Sequence, residues 1–268
     1  MIQSTPDQFS TLFRFGMPAV FVALAVVAIA QQGKRRAKLE SAWRGLADET
    51  GGAYSREKMT IRNNEWIGGP TVRWTIRDVP VSLLWHRQGK NSTGTRLRAP
   101  LRLSRPFQFH VMTQSALARF ATSPKLWNVI LTNAEKEAEK KAEGAGASVE
   151  SARDAIRKLR FMASEPVKTG DPLFDESFLL KTDDPERARD VLFSSGVSYW
   201  MHELQRVEKG WSCSLASADL NGGYGITVEL QGMVSNPESL RAARSLVEAV
   251  IGRLADQNAI ASTKTSAA

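Results

Sequence analysis

A chain of 268 residues with 42% hydrophobic content can bury a substantial core, which excludes a protein disordered throughout. Lys and Arg number 36 against 28 Asp and Glu, so the formal charge is +8 and favours anionic partners such as phospholipid headgroups or nucleic acid. The single cysteine, Cys213, excludes an internal disulfide and any cysteine cluster for zinc or iron–sulfur ligation, and suits a reducing compartment.

Residues 1–11 form a short lead, expected outside the cytoplasm. From Phe15 to Ala30 every residue is apolar or small, and Leu12 and Phe13 extend the run past Arg14. At about 1.5 Å per residue this covers most of a ~30 Å hydrocarbon core, with Arg14 able to snorkel to the headgroups. Pro18 falls in the first turns, where a helix tolerates it. A transmembrane helix is therefore expected over 12–32. Lys34, Arg35, Arg36 and Lys38 follow at once, and the positive-inside rule keeps that collar in the cytoplasm. The expected protein is single-pass in the inner membrane, with the bulk of the chain cytoplasmic. A second reading stays open: Ala28-Ile29-Ala30 has the A-x-A spacing of an export signal cleaved at Ala30, which would release the domain into the envelope. A weak n-region, with Arg14 offset by Asp7, and a basic cluster directly after the apolar run favour the anchor.

Residues 33–132 read as a first α+β half. Leu39, Ala42, Trp43 and Leu46 recur at helical spacing, and Gly51-Gly52 supplies a stop. From Val72 the period becomes two. Val72, Trp74 and Ile76, then Val79, Val81, Leu83 and Trp85, alternate with polar residues as an antiparallel hairpin. After the GKNSTG loop (89–94), Leu97, Ala99, Leu101 and Leu103 suggest a third strand, and Phe107, Phe109 and Val111 a fourth, which together make a meander with one wet face. Residues 115–132 read as helical with a break at Pro124. The stretch 133–165 is a charged, alanine-rich helical connector in which Val149, Ala152, Ile156 and Leu159 keep helical spacing.

A second α+β half is expected over 166–258. Phe178 and Leu180 suit a strand, and Asp184-Pro185 is a cap with proline at the first helical position, before the inner face Ala188, Val191 and Leu192. A further helix presents Val197, Trp200, Met201 and Leu204. Trp211, Cys213 and Leu215 alternate as a strand, Asn221-Gly222-Gly223 turns the chain, and Ile226, Val228 and Leu230 return it. Asn236-Pro237 opens a long final helix, and 259–268 reads as a disordered tail. The fold class is thus α+β, an antiparallel sheet with helices, in two sub-halves. The segment FDESFLLKTDDPERARDVL resembles a pattern of uncharacterised bacterial single-pass membrane proteins, FDxxFxV followed by DPxxA and paired leucines, with Leu180 in place of the usual valine. The resemblance covers about the last hundred residues. It implies an anchored domain and carries over no catalytic residue.

Sequence motifs supply no reaction. The histidines are His86, His110 and His202, and none has a paired-ligand spacing for zinc. Pairing of their strands would bring His86 and His110 together across the sheet. There is no phosphate-binding glycine loop, and GWSCS (210–214) alternates like a strand rather than turning as a nucleophile elbow. Asp175, Glu176, Asp183 and Asp184 sit at a strand start and a helix cap, where structural roles explain them better than a metal does. No cofactor, metal or catalytic residue is assigned, and the chain reads as a non-enzymatic module; an enzyme whose site forms only in three dimensions is the competing class.

Charge is the unusual feature. Between Trp66 and Thr113 the basic residues are Arg73, Arg77, Arg87, Lys90, Arg96, Arg98, Arg102 and Arg105, against Asp78 alone. Strand parity predicts that Arg73 and Arg77, and likewise Arg96, Arg98 and Arg102, share the outer face of a sheet. Arginine favours bidentate contacts to phosphate, so these five are candidates for docking on anionic lipid or an acidic protein. The aromatic residues of the region take the apolar parity, which disfavours nucleic acid as the partner. The oligomeric state is open.

Overall fold

The computed structural model describes residues 17–62, 65–88, 92–114, 127, 129–133, 136, 156–157, 159–216 and 224–260. Helix α1 (Met17–Thr50) is unbroken over 34 residues, so the helix expected around Trp43 is the last part of a longer one that includes the basic collar. It stops at Gly51, whose φ of +63° lies in the left-handed region that glycine enters most readily. The Gly51 and Gly52 amides donate to the Asp48 and Ala47 carbonyls at 3.3 and 2.8 Å, and the chain reverses. Of the spanning segment expected over 12–32, residues 12–16 lie outside the described residues and 17–29 are described in backbone alone. Among the described residues no helix is long and apolar enough to cross a membrane.

Strands β1 (Ala53–Arg62), β2 (Glu65–Ile76), β3 (Val79–Gln88) and β4 (Ser92–Ala99) follow as a meander. Strands β5 (Phe109–Thr113), β6 (Phe178–Thr182), β7 (Trp211–Ala216) and β8 (Gly225–Gln231) complete one antiparallel sheet in the order β1-β2-β3-β4-β8-β7-β5-β6. Helices α2 (Pro172–Ser177), α3 (Pro185–Leu192), α4 (Ser195–Val207) and α5 (Pro237–Asp256) pack with it, and the described residues 129–133 and 159–163 are helical as well. The protein is therefore α+β with an antiparallel sheet, as its sequence pattern requires.

Three expectations about the sheet need correcting. The meander starts one strand earlier, at β1, an edge strand with no buried residue among those described and so no alternation to read. Leu101 and Leu103 lie beyond β4, and Leu103 makes an isolated bridge to Ile260. The strand containing Phe109 and Val111 does not neighbour β4, because β8 and β7 stand between them. As a result the two expected halves are interleaved: β4 pairs with β8, and β5 lies between β7 and β6. The connector over 133–165 and the tail over 259–268 fall largely outside the described residues.

One face of the sheet and the helices enclose a single core that includes Leu39, Trp43, Val72, Leu83, Leu97, Val111, Cys213, Val228, Met201 and Val250. Helices α3 and α5 begin where their caps dictate. The carboxylate of Asp184 accepts from the Arg187 amide with Pro185 next to it, and Asn236 does the same for the Glu238 amide ahead of α5. At Gly225, φ is +122° and an added Cβ would lie 2.1 Å from the Ala99 carbonyl oxygen, so only glycine lets β8 pass the end of β4.

The seat of α1 is what joins that helix to the domain. Leu39, Trp43, Leu46 and Ala47 are buried, and the Trp43 indole donates to the Val234 carbonyl at 3.0 Å. On its far side Arg241 of α5 grips Glu49, with Nε at 2.9 and 3.1 Å from the two carboxylate oxygens. Along its length Arg44 stacks on Tyr54 at 4.4 Å, and Glu40 pairs with Arg56 at 3.1 Å. Replacing Trp43 with Ala removes a fully buried ring and orphans the Val234 carbonyl, an expected loss of about 3–5 kcal/mol. Urea unfolding of the two proteins in detergent checks it, and an unchanged midpoint would show that α1 is not part of the cooperative unit.

Candidate functional site

The collar is built by helix geometry. Lys34, Arg35, Arg36 and Lys38 are exposed, and the burial of Leu39 and Trp43 begins directly after them. Arg36 comes within 3.8 Å of Glu40, an i,i+4 pair at the helix surface. A basic patch thus covers one broad side of α1 between the apolar segment and the seated segment.

The five arginines proposed from parity do not form one exposed face. Arg73 and Arg98 do share the face of the sheet opposite the core, in a row that register runs from Arg73 through Ser82, Arg98, Thr227, Ser214 and His110 to Lys181. Arg96 lies on the same face one row away, but it is buried and paired with Glu229 on β8 at 2.7–2.8 Å. Arg77 and Arg102 lie beyond the ends of their strands. Arg77 sits in the β2–β3 turn with φ of +47° and binds Asp256 at 2.9 Å, while Arg102 lies over the Tyr224 ring at 5.8 Å. Arg73 pairs with Glu57 of β1. Acids from outside the basic window therefore answer three of these arginines, which a local count of charge could not reveal.

Two groups on that face escaped sequence reasoning. Lys181 is buried, its ammonium donating to the Met162 carbonyl and lying 5.8 Å from the Trp127 ring centre, and burial lowers its pKa. Glu229 faces Arg96 directly across the β4–β8 ladder. His110, on β5 next to Lys181 on β6, has its pKa lowered to about 4: burial lowers it most, Glu229 opposes this, and Lys181 adds to it. His86 lies on β3 with three strands between it and β5, so the two histidines do not meet. His202 lies against Phe178, with ring centres 5.2 Å apart.

The cavities are open depressions. One of about 660 Å³ is lined by Gly170, Asp171, Arg189, Phe193, Ser194 and Arg253, and a neighbour of about 510 Å³ by Arg77, Ser195, Trp200, Glu248 and Arg253. Three of their polar groups are engaged: Arg189 donates to the Lys168 carbonyl, Arg253 to the Asp190 carbonyl and Ser194 to the Val191 carbonyl. The suspected carboxylates serve the backbone. Asp175 accepts from the amides of Thr169 and Gly170 and the Thr169 hydroxyl, which together outweigh burial and hold its carboxyl below the usual range. Asp183 accepts from the Gln108 amide and Asp184 caps α3. Among the described residues no three His, Cys, Asp or Glu side chains are placed to hold a metal ion. Cys213 is buried with its thiol pKa pushed up to about 12, so it is an unreactive core group.

No protein-family model matches this chain, and no curated protein matches it. A solved structure, that of the mycobacterial trehalose monomycolate transport factor A, TtfA, is similar at a TM-score of 0.39 and 11% identity, over 79% of this chain and 94% of that one. Likeness at that level carries no functional argument.

The row containing His110 has a measurable signature. Folding lowers the His110 pKa from 6.5 to about 4, so the unfolded chain takes up its proton first as pH falls. The contribution is complete above about pH 6.5 and is lost towards pH 4, by at most about 3 kcal/mol. Denaturation curves at pH 7, 5.5 and 4.5 should show a shallower acid loss for His110→Gln than for the natural chain. Equal acid sensitivity would mean that His110 titrates normally.

Proposed function

We propose that the chain is a membrane-anchored, non-enzymatic scaffold or regulatory module, with the apolar segment 12–32 spanning the bilayer and the α+β domain held against the anionic cytoplasmic leaflet. The observation that carries this reading is the continuity of α1. One helix runs from the apolar run through an exposed basic collar to a tryptophan seated in the domain core, with no break at which a linker could form. A basic residue near such a leaflet contributes about 1 kcal/mol, so Lys34, Arg35, Arg36 and Lys38 act together. The pairing of Arg73, Arg77 and Arg96 with acids moves the weight of the docking idea from the sheet to the collar. The engaged polar groups of the cavities support a module rather than an enzyme.

The test is topology in cells, with Gly33→Cys probed by a membrane-impermeant thiol reagent; Cys213, being buried, stays in place. Labelling only after permeabilisation, on protein of full-length mass, is expected. A mass beginning at Gln31 would overturn the anchor in favour of export. Reversal of Lys34, Arg35, Arg36 and Lys38 to Glu should shift a fraction of the protein to the opposite orientation, read as labelling in intact cells.

A further inference from the structure

The end of the β1–β2 hairpin carries an apolar patch that is exposed among the described residues. Ile61 and Trp66 are direct cross-strand partners and stay 60% and 44% exposed, and Met59, two residues earlier on β1, is 40% exposed. Register continues the pair through Arg87 on β3 to Thr93 on β4. Arg87 shares strand parity with the buried Leu83 and half-buried Trp85, so this row lies on the helix-bearing face of the sheet, past the point where the core ends. An exposed apolar cluster on an unpaired edge strand is a liability that soluble proteins avoid.

The position of the patch along α1 names its occupant. Tyr54 meets Arg44 and Arg56 meets Glu40, so two residues forward on β1 correspond to four residues back on α1, and the two elements run antiparallel. Strand and helix rises of about 3.3 and 1.5 Å then carry the Ile61–Trp66 pair some ten residues back from Glu40, close to Ala30. That is where the apolar run of the sequence gives way to Gln31 and the collar. Lys58 and Arg87 are exposed beside the patch, and tryptophan with basic residues around it is the composition that settles at the headgroup level.

We propose that the Met59–Ile61–Trp66 end of the β1–β2 hairpin inserts into the interfacial zone of the bilayer that α1 enters, giving the domain a second lipid contact and a fixed orientation. This rests on the anchor reading, and it goes beyond it by assigning a site. The experiment uses the full chain in vesicles of phosphatidylglycerol and phosphatidylethanolamine, with Gly33→Cys, Ile61→Cys or Thr75→Cys each carrying an environment-sensitive fluorophore. Lipids spin-labelled near the headgroup should quench positions 33 and 61 severalfold more than position 75, which is exposed at the other end of β2. Strong quenching at 33 with position 61 no better quenched than 75 would overturn the hairpin contact and leave the anchor standing. No quenching at 33 would overturn the anchor and the hairpin contact with it. Shielding of position 61 from a water-soluble quencher without lipid quenching would assign the patch to a second copy or another protein, and would also overturn the proposal.

Discussion

The packing of Leu39, Trp43 and Leu46 under the sheet sets the direction in which α1 leaves the domain. A helix held by one turn would swivel, whereas this one is fixed by a buried indole bonded to Val234 and by Arg241 clasping Glu49 on one side and Arg56 pairing with Glu40 on another. Because α1 continues unbroken towards Met17, orientation fixed at Trp43 is transmitted along a stiff rod of about 1.5 Å per residue. The proposed role as a membrane-held module depends on that rigidity more than on any single charge.

Charge in this protein is arranged across strands rather than along them. The basic window from Trp66 to Thr113 has almost no acids of its own, yet Glu57, Glu229 and Asp256 reach it from β1, β8 and α5. The Arg96–Glu229 pair is the most enclosed of these, since its guanidinium is buried while the carboxylate stays partly wet. Removing one partner of such a pair is costly because the other is left desolvated, although the intact pair contributes little net stability. The Arg96–Glu229 pair therefore bears on the register between β4 and β8 more than on affinity for an outside partner.

Local signals were legible where one short stretch held all the information. The Asp184-Pro185 and Asn236-Pro237 caps, the alternation of Trp211, Cys213 and Leu215, and the helical spacing from Leu240 to Leu254 all describe their elements correctly, because cap, period and burial agree there. Strand β1 was not legible, since none of its described residues is buried and neither face needs an apolar stripe. Helix α2 is one short turn held by the Asp171 cap and by the Asp175 bonds to Thr169 and Gly170, a loop construction with no periodic trace. The interleaving of the halves was hidden for a different reason. Which strand lies beside β4 is decided by partners more than a hundred residues away, a distance that also separates Glu229 from Arg96 and from His110. The candidate site was visible in part: the collar could be read directly, while the dispersal of the arginines could not.

The join between β4 and β8 also has a kinetic side. The Thr95 hydroxyl donates to the Gly232 carbonyl across 137 positions of chain, so the inner edge of β4 has no partner until nearly the whole protein has been synthesised. Contacts of such sequence separation form late and slow the folding of the sheets that depend on them. Until then the β1–β4 meander has two open edges, and a chain already tethered by its N-terminus would wait in that state beside others like it. Unpaired strand edges are where unfinished chains pair wrongly, so the closing of β8 onto β4 also removes the most exposed hazard of the assembly.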